Sequence, residues 1–219
     1  MHGLHQDHEG SDFEDLFQLV EDFEPDLVGV EIRPEDTGAD EGYLQANYPY
    51  EMVELARRWG DAAFGFDWLG DDIAGLPIPK GHWQTGSAIK ALERDLETDP
   101  AFAETREEAA IAAAQKELLV KATAASINDG AYDELTARAS ELAAERLRGS
   151  RYQPISEFYA RRDREIANHL IEVVRENGGR RIIILTGADH RGPAQARLRE
   201  ALGDRVQIVS VGRAAPVGN

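Results

Sequence analysis

The most constraining feature of this sequence is the segment RIIILT at residues 181–186, where four consecutive apolar residues run directly into a polar, glycine-rich stretch. A short, strongly β-branched run bounded by turn residues is typical of a strand that is buried on both faces of a parallel sheet. LVGVEI at residues 27–32 and AAFGFDW at residues 62–68 have the same character, and RVQIVSV at residues 205–211 predicts one last strand. The chain is therefore expected to fold around a mostly parallel sheet.

Segments with helical spacing accompany these strands. Helices are predicted at about 11–23, 48–59 and 154–176, and a closing helix, with Pro193 in its first turn, should run to about 202. The alternation of strands and helices at both ends of the chain predicts right-handed βαβ units and helices on both faces of the sheet.

The middle of the chain, residues 83–149, is predicted to be a helical insertion that forms a cap. Thr98-Asp99-Pro100 is a typical helix start, so one helix is expected over 101–127 and another over 130–148. The predicted fold class is α/β, with a mostly parallel sheet flanked by helices. Residues 1–219 should form a single domain that carries the insertion.

The composition excludes some kinds of site and partner. The chain has no cysteine, so any metal must be held by histidine, carboxylate or backbone oxygen atoms. Its formal charge is −17, and residues 1–60 contain 16 acidic residues against three arginines. Such a surface repels phosphate backbones and anionic lipid, so neither nucleic acid nor a membrane is an expected partner. Habitat salinity or solubility is an equal explanation for the acidity.

Several familiar sequence motifs are absent. The sequence contains no P-loop, no GxGxxG after a strand, no HExxH and no GxSxG, so kinase-like, dinucleotide-binding and serine-hydrolase functions lose their usual support. It also lacks an apolar run of the ~20 residues that a transmembrane helix needs and a start typical of a secretory signal. A cytoplasmic location is therefore expected.

The ends of the predicted strands select the candidate site. In open α/β sheets, ligands bind outside the carboxyl ends of the strands, where Glu31, Asp67 and the loop 187–192 fall in this sequence. A buried carboxylate is costly unless it is paired, hydrogen-bonded or metal-bound, which favours a function for Glu31. The alternative is that Glu31 is a strand-end carboxylate that pairs with Arg33 or another arginine in solvent. Asp67 is a similar but weaker candidate.

Asp189-His190 is the sharpest local pattern, because a titratable pair lies on a glycine-flanked turn between a strand and a helix. Imidazole can act as a base, an acid or a metal ligand near neutral pH. The alternative is that Asp189 only caps the following helix and His190 is an ordinary loop residue.

Most of the other polar residues have both a functional and a structural interpretation. Arg162, in the run RRDR on the predicted long helix, can clamp a carboxylate or phosphate, although a solvated charge cluster is the more common outcome. His5 belongs to a group of N-terminal histidines that can supply metal ligands, but chain termini are often mobile. His82-Trp83 can begin a lid or simply pack, and His169 is expected to be structural.

The segments HGLHQDH, FEPDLVGVEIRPED, RDREIANHLIEVV and IIILTGADHRGPAQARL together resemble the TraB/PrgY/GumN and Tiki-like family, within the erythromycin-esterase-like and ChaN-like superfamily. The resemblance covers about 1–60 and 155–211, and the helical middle matches only in general character. In that family an N-terminal GxxH, a glutamate closing a strand, an arginine followed by Asn or Asp on a helix, and a C-terminal GxxH converge on one site.

Carried onto this chain, the resemblance implies a site made of Gly187 and His190, Glu31, Arg162-Asp163, and an N-terminal histidine. Gly3-Leu4-His5 is one residue short of the GxxH pattern. His5 is therefore the nearest equivalent of the histidine in that motif, and His8 is the second candidate. The family normally has a strand before this motif, whereas only four residues precede His5 here.

The resemblance implies more than one activity. The first hypothesis is a metal-dependent hydrolase of peptide or amide bonds, in which His5, Glu31 and His190 hold a divalent cation that acidifies a bound water. Glu31, His190 and Asp189 form its catalytic set, with Asp189 orienting a ligand. Arg162 and Asp67 are assigned to substrate binding, and Arg162 pairs with Glu31 or with a substrate carboxylate.

Two alternatives remain open at this point. One is a metal-independent, esterase-like hydrolase in which His190 or His5 is the general base beside Glu31. The other is a protein that binds haem through a histidine, or binds another small ligand. A peptide or small-molecule substrate is expected for the enzyme, and the helical insertion is a possible surface for a homo-oligomer.

Overall fold

The sheet at the centre of the structure is parallel. The computed structural model of the chain describes residues 13–210, and within them the strands are β1 (Leu27–Val30), β2 (Ala63–Gly65) and β3 (Ile182–Leu185). Their order is β2-β1-β3, with Val28 of β1 opposite Ala63 on one side and Ile183 on the other. Among the described strands β1 is therefore the central one. The apolar sequence of 181–186 predicts a central strand there instead, and this is wrong, because β3 pairs only with β1 and lies at an edge of the described sheet.

Helices make up most of the remaining described chain. They are α1 (Phe13–Asp22), α2 (Glu41–Asn47), α3 (Tyr50–Trp59), α4 (Ala88–Glu97), α5 (Arg106–Val120), α6 (Ala124–Ile127), α7 (Ala131–Leu147), α8 (Gln153–Glu176) and α9 (Ala188–Leu202). The predicted fold class, an α/β fold with a parallel sheet flanked by helices, is confirmed. Among residues 13–210, no helix is both long enough and apolar enough to cross a bilayer.

The two faces of the sheet are covered by different helices because side chains alternate along β1. Val28 and Val30 are fully buried against residues of α1 and α3. On the opposite face, Phe64 and Ile184 from the neighbouring strands pack with α8 and α9. Gly29 allows this arrangement, since a Cβ there would lie 2.7 Å from the Phe64 ring. The sheet is therefore the middle of three layers, with α1 and α3 on one face and α8 and α9 on the other.

The segment predicted as an insertion contains α4, α5, α6 and α7 in the structure. It has a small apolar cluster of its own with the start of α8, built on Leu147, Tyr152 and Ile155. The start of its main helix differs from the prediction. Asp99 caps only a single 3-10 turn, Pro100–Phe102, and α5 begins at Arg106 after Thr105.

Thr105 and Glu108 explain that later start, because they form a reciprocal capping box. The Thr105 hydroxyl accepts from the Glu108 N–H at 3.1 Å, and the Glu108 carboxylate accepts from the Thr105 N–H at 2.8 Å. Two backbone donors that the helix leaves unpaired are thus satisfied at once. The Thr-x-x-Glu spacing in the sequence was the available indication of this helix start.

Thr105→Ala is expected to lower the free energy of unfolding by about 1 kcal/mol, because it removes the oxygen that caps α5. Urea denaturation followed by circular dichroism measures the change. Ser156→Ala is the matched control, since Ser156 lies inside α8 and its hydroxyl donates to the Gln153 carbonyl of the same helix. Equal losses in the two variants would contradict the capping role.

The C-terminal part of the described chain differs from the prediction in two ways. The predicted loop 187–192 is instead the beginning of α9, so Pro193 lies inside the helix. Gly192 eases this, because it has no Cβ to clash with the following proline ring. The predicted strand at 205–211 is wrong over 205–210: a 3-10 turn ends at Arg205 and irregular chain follows. Residue 211 lies outside the described range.

Val206 and Ile208 account for the apolar alternation that suggested this last strand. Both pack against the cluster formed by α8 and α9. Burial of these two side chains explains their spacing, and residues 205–210 form no strand beside β3.

Candidate functional site

Five polar side chains meet at the carboxyl end of the sheet. Glu31 directly follows β1, and Asp67 lies two residues beyond β2. His190 comes from the first turn of α9, which begins just after β3, while Arg162 and Asp163 project from the middle of α8. The sequence rule that ligands bind at the ends of parallel strands thus selected residues that the structure brings into contact.

Arg162 joins the two carboxylates that follow β1 and β2. Its Nε and Nη2 donate to the two oxygens of Asp67 at 2.9 and 3.0 Å, and Nη2 also donates to Glu31 Oε1 at 3.0 Å. The Arg162 side chain is 12% exposed and that of Asp67 3%. A bidentate, nearly buried pair of this kind is rigid and fixes where both carboxylates lie.

The charges in this group depend on one another. Burial lowers the pKa of Arg162, but the charges and hydrogen bonds of Asp67 and the charge of Glu31 outweigh it and raise the pKa above its ordinary value. Burial raises the pKa of the Asp67 carboxyl; Arg162 opposes this and Glu31 adds to it. The guanidinium is therefore always charged, and Asp67 is the carboxylate whose ionisation depends most on that charge.

Glu31 is held in its ionised form. Its Oε2 accepts from the Gly187 backbone N–H at 2.6 Å and from the Thr186 hydroxyl at 3.0 Å, so the carboxylate lies at the N-terminus of α9. Burial alone would raise the pKa of Glu31. The positive charges of His190 and Arg162, with the hydrogen bonds from Gly187 and Thr186, bring the pKa below its usual value.

His190 lies between two carboxylates. Its Nδ1 is 2.6 Å from Asp163 Oδ1, and its Nε2 is 3.6 Å from Glu31 Oε1. Because Asp163 is an acceptor, Nδ1 carries the proton and Nε2 has the lone pair when the ring is neutral. Burial lowers the pKa of His190, yet the hydrogen bond to Asp163 and the charge of Glu31 raise it above the ordinary value, against Arg162.

Asp189 does not join this group. Its Oδ1 accepts from the Tyr132 hydroxyl of α7 at 2.8 Å, so it contacts the helical insertion. The orienting role that the sequence analysis gave to Asp189 is filled geometrically by Asp163. The alternative interpretation, that Asp189 caps the helix, is also wrong, because Gly187 is the N-cap of α9 and Asp189 is the second residue of the helix.

The other histidines and Arg33 are engaged elsewhere. Arg33 does not pair with Glu31, since it donates to Asp36 and to the carbonyls of Ile73 and Leu76. His169 Nδ1 lies 2.9 Å from the Phe66 carbonyl oxygen, which fits the structural role predicted for it. His82 is buried edge-on against Trp83 at the start of a short π-helix. His5 and His8 lie outside the described residues.

The chain matches no protein-family model, no curated protein and no solved structure. The resemblance to the TraB/PrgY/GumN and Tiki-like family therefore rests on its motifs and stays a prediction. What can be argued about function comes from the site itself.

The donor set around Glu31 does not fit a divalent cation without help from outside residues 13–210. Among these residues, no group of three or more histidines and carboxylates has the arrangement of a metal site. Glu31 Oε1 and both oxygens of Asp67 already accept from Arg162, whose charge repels a cation. Metal binding would need a ligand from outside these residues, such as the predicted His5, and displacement of Arg162 from at least one carboxylate.

Asp163→Asn is expected to lower the pKa of His190 toward its ordinary value, because the variant replaces the carboxylate that stabilises imidazolium. The raised pKa in the folded state contributes stability below the unfolded pKa, about 6.5, which disappears as pH rises through the folded value. The loss of stability in Asp163→Asn should therefore be larger at acidic pH than at alkaline pH. Histidine-selective NMR titration and urea denaturation measure the two effects.

Glu165→Gln is the control for this experiment, since Glu165 lies on the same helix and contacts Asn168 and Arg161 instead of His190. An unchanged His190 titration in Asp163→Asn, or an equal change in Glu165→Gln, would show that the Asp163 contact does not govern the imidazole.

Proposed function

We propose that this chain is a hydrolase of ester or amide bonds that uses His190 as a metal-independent general base beside Glu31. The observation that supports the proposal is the alignment of Asp163, His190 and Glu31. One carboxylate holds Nδ1 at 2.6 Å, which leaves the Nε2 lone pair directed toward the second carboxylate at 3.6 Å. This is the geometry of an oriented base, in which a third group fixes the tautomer and position of the ring.

The proposed reaction uses the gap between Nε2 and Glu31 Oε1. A water that lies beside this pair, about 2.8 Å from each atom, can hydrogen-bond to both. His190 takes one proton as the water oxygen attacks the substrate carbonyl carbon, while Glu31 accepts a hydrogen bond from the other. The carbon–oxygen or carbon–nitrogen bond then breaks, and His190 returns its proton to the leaving group.

The fixed charges around His190 support the same role. Glu31 is ionised next to the ring, so it stabilises the imidazolium that forms when His190 accepts a proton. Arg162 and the Gly187 N–H hold Glu31 in place before any substrate arrives, and such preorganised groups need no rearrangement during the reaction. Because Arg162 is already neutralised by two carboxylates, we assign it to positioning of the site.

The metal-dependent version of the hydrolase remains a second hypothesis. It requires His5, which lies outside the described residues. Arg162 favours the metal-independent version, because a cation bound to Glu31 and His190 would lie next to the guanidinium. The haem-binding alternative also stays a prediction.

The remaining functional expectations are proposals that rest on the sequence. They are a peptide or small-molecule substrate, no nucleic-acid or membrane partner, a cytoplasmic location, and self-association through the helical insertion. The charge of −17 supports the second of these, because a strongly acidic protein repels polyanions.

A panel of nitrophenyl esters and aminoacyl anilides tests the proposed function. Wild type, His190→Ala and His169→Gln are prepared identically, with and without exhaustive chelation. We expect hydrolysis by wild type and His169→Gln that survives chelation and is lost in His190→Ala. Equal turnover by wild type and His190→Ala would refute the role of His190. Loss on chelation, with recovery on adding a divalent cation, would support the metal-dependent hypothesis instead.

A further inference from the structure

Three consecutive residues at the start of α9 face two different parts of the molecule. His190 contacts Asp163 on α8, while its neighbours Asp189 and Arg191 contact α7 in the helical insertion. Successive residues of a helix are about 100° apart, so one turn can reach two neighbours at once. His190 is therefore preceded and followed in the sequence by residues that hydrogen-bond to the insertion.

The contacts to the insertion are specific and largely shielded from solvent. The Tyr132 hydroxyl donates to Asp189 Oδ1 at 2.8 Å, and Tyr132 is 4% exposed. Arg191 Nε and Nη2 donate to Asp133 Oδ1 at 3.1 and 2.9 Å, and Nη1 donates to Asn128 Oδ1 at 2.7 Å. Burial and the negative charge of Asp189 raise the pKa of Tyr132, so its hydroxyl stays a donor. Removing one partner from such a pair leaves the other polar group unsatisfied.

The Gly192 backbone of α9 also lies close to the Asp133 side chain of α7. A Cβ on Gly192 would lie 3.1 Å from Asp133 Cβ and 3.3 Å from its Cγ. Glycine at 192 therefore permits the approach that brings Asp133 within reach of Arg191. This turn of α9 is also weak in its own hydrogen bonding, because Gly187 has no side chain to cap it and Pro193 has no N–H to donate.

We propose that Tyr132 and Asp133 are positioning residues for His190, and that the helical insertion, by holding Asp189 and Arg191, sets the His190–Asp163 contact. The catalytic part of this inference rests on the proposed hydrolase function, whereas the positioning itself can be measured without a substrate. Displacement of the first turn of α9 moves the imidazole away from Asp163 and from Glu31 together. The insertion is then part of the machinery of the site, although neither Tyr132 nor Asp133 hydrogen-bonds to His190.

The test uses Tyr132→Phe and Asp133→Asn, two nearly isosteric changes that remove one hydroxyl and one charge. Arg138→Gln is the matched control, because Arg138 lies on the same helix and pairs with Glu107 and Glu141 inside the insertion. The readouts are the NMR titration of the His190 imidazole, and kcat and KM on whichever panel substrate wild type hydrolyses. Circular dichroism confirms that each variant is folded, and Arg191→Lys, which keeps the charge but loses the fork, replaces Asp133→Asn if that variant does not fold.

We expect the titration midpoint of His190 to fall in Tyr132→Phe and Asp133→Asn and to stay at the wild-type value in Arg138→Gln. Where a substrate is known, kcat should fall roughly 10- to 100-fold with little change in KM, because a small misplacement of a base affects the chemical step. A wild-type titration of His190 in both folded variants would overturn the inference even if the protein is a hydrolase. A shifted titration in a protein that hydrolyses nothing would support the positioning and refute only the proposed function.

Discussion

His190→Ala is expected to lower kcat/KM for the hydrolysed substrate by about 10²- to 10⁴-fold, the usual contribution of a positioned general base. The variant removes the only group placed between Asp163 and Glu31 in the described structure, so the nucleophilic water loses its proton acceptor. The fold should persist, because His190 lies at the edge of the α8–α9 cluster and contributes no side chain to it. Steady-state kinetics with a matched circular dichroism spectrum measure the effect.

The pH dependence gives this prediction a second, independent check. A general base must be neutral to act, and the pKa of His190 lies above the ordinary histidine value. The kcat/KM of wild type should therefore rise with pH through that raised pKa, and the residual activity of His190→Ala should lack this rise. In Asp163→Asn the rise should move to lower pH. A wild-type profile that falls over this range would instead indicate that protonated His190 is the active form.

Arg162→Ala is expected to lower the free energy of unfolding by about 3–5 kcal/mol, the cost of breaking a buried ion pair by removing one partner. Glu31 and Asp67 would then be two nearly buried carboxylates without their shared cation. Urea denaturation at neutral pH measures the loss. Arg161→Ala is the control, because Arg161 is the preceding residue on α8 but is 42% exposed and pairs with Asp71. That change should cost no more than about 1 kcal/mol.

The sign of the pH effect distinguishes this explanation from lost packing. Without Arg162, burial raises the folded pKa values of Glu31 and Asp67 above their unfolded values. Carboxyls shifted in that direction destabilise the fold increasingly as pH rises through the folded pKa. The deficit of Arg162→Ala should therefore shrink from pH 7 toward pH 5. A deficit that is constant with pH would mean that the loss comes from packing of the arginine stem.

The residues that follow the strands could be predicted from the sequence, and so could the pairing of Arg162 with Glu31, whereas the partners of Asp67 and His190 could not. Glu31 and Asp67 were identified because the strand pattern and the rule on strand ends apply to local sequence. The pairing of both with one guanidinium depends on the rotation of α8 over the sheet, and local sequence does not encode it. The rule on strand ends also selects His190, which follows β3. The sequence analysis expects Asp189 to be the orienting carboxylate, whereas Asp163 is the one that contacts His190.

The confusion of Asp189 with Asp163 has a simple geometric cause. Asp189 is adjacent to His190 in sequence, but adjacent residues of a helix point about 100° apart. The prediction of a loop at 187–192 does not reveal this, since it places Pro193 in the first helical turn and Asp189 and His190 before the helix. Asp163 is 27 residues away and meets His190 at 2.6 Å only because α8 packs against α9. Its position beside Arg162 in the family-like motif was the available indication.

The order of charged residues on α8 limits how the gene for this protein can change in length. Arg161 reaches Asp71, Arg162 reaches Glu31 and Asp67, and Asp163 reaches His190, all within one helical turn. Insertion or deletion of a single codon between Asp163 and Ile166 would rotate every one of these side chains by about 100° relative to Ile166, Leu170 and Ile171, the apolar residues that dock the helix against α9. Codons in the turn between α4 and α5 carry no such constraint. Length variation among descendants of this sequence should therefore accumulate in that turn and be absent from the middle of α8.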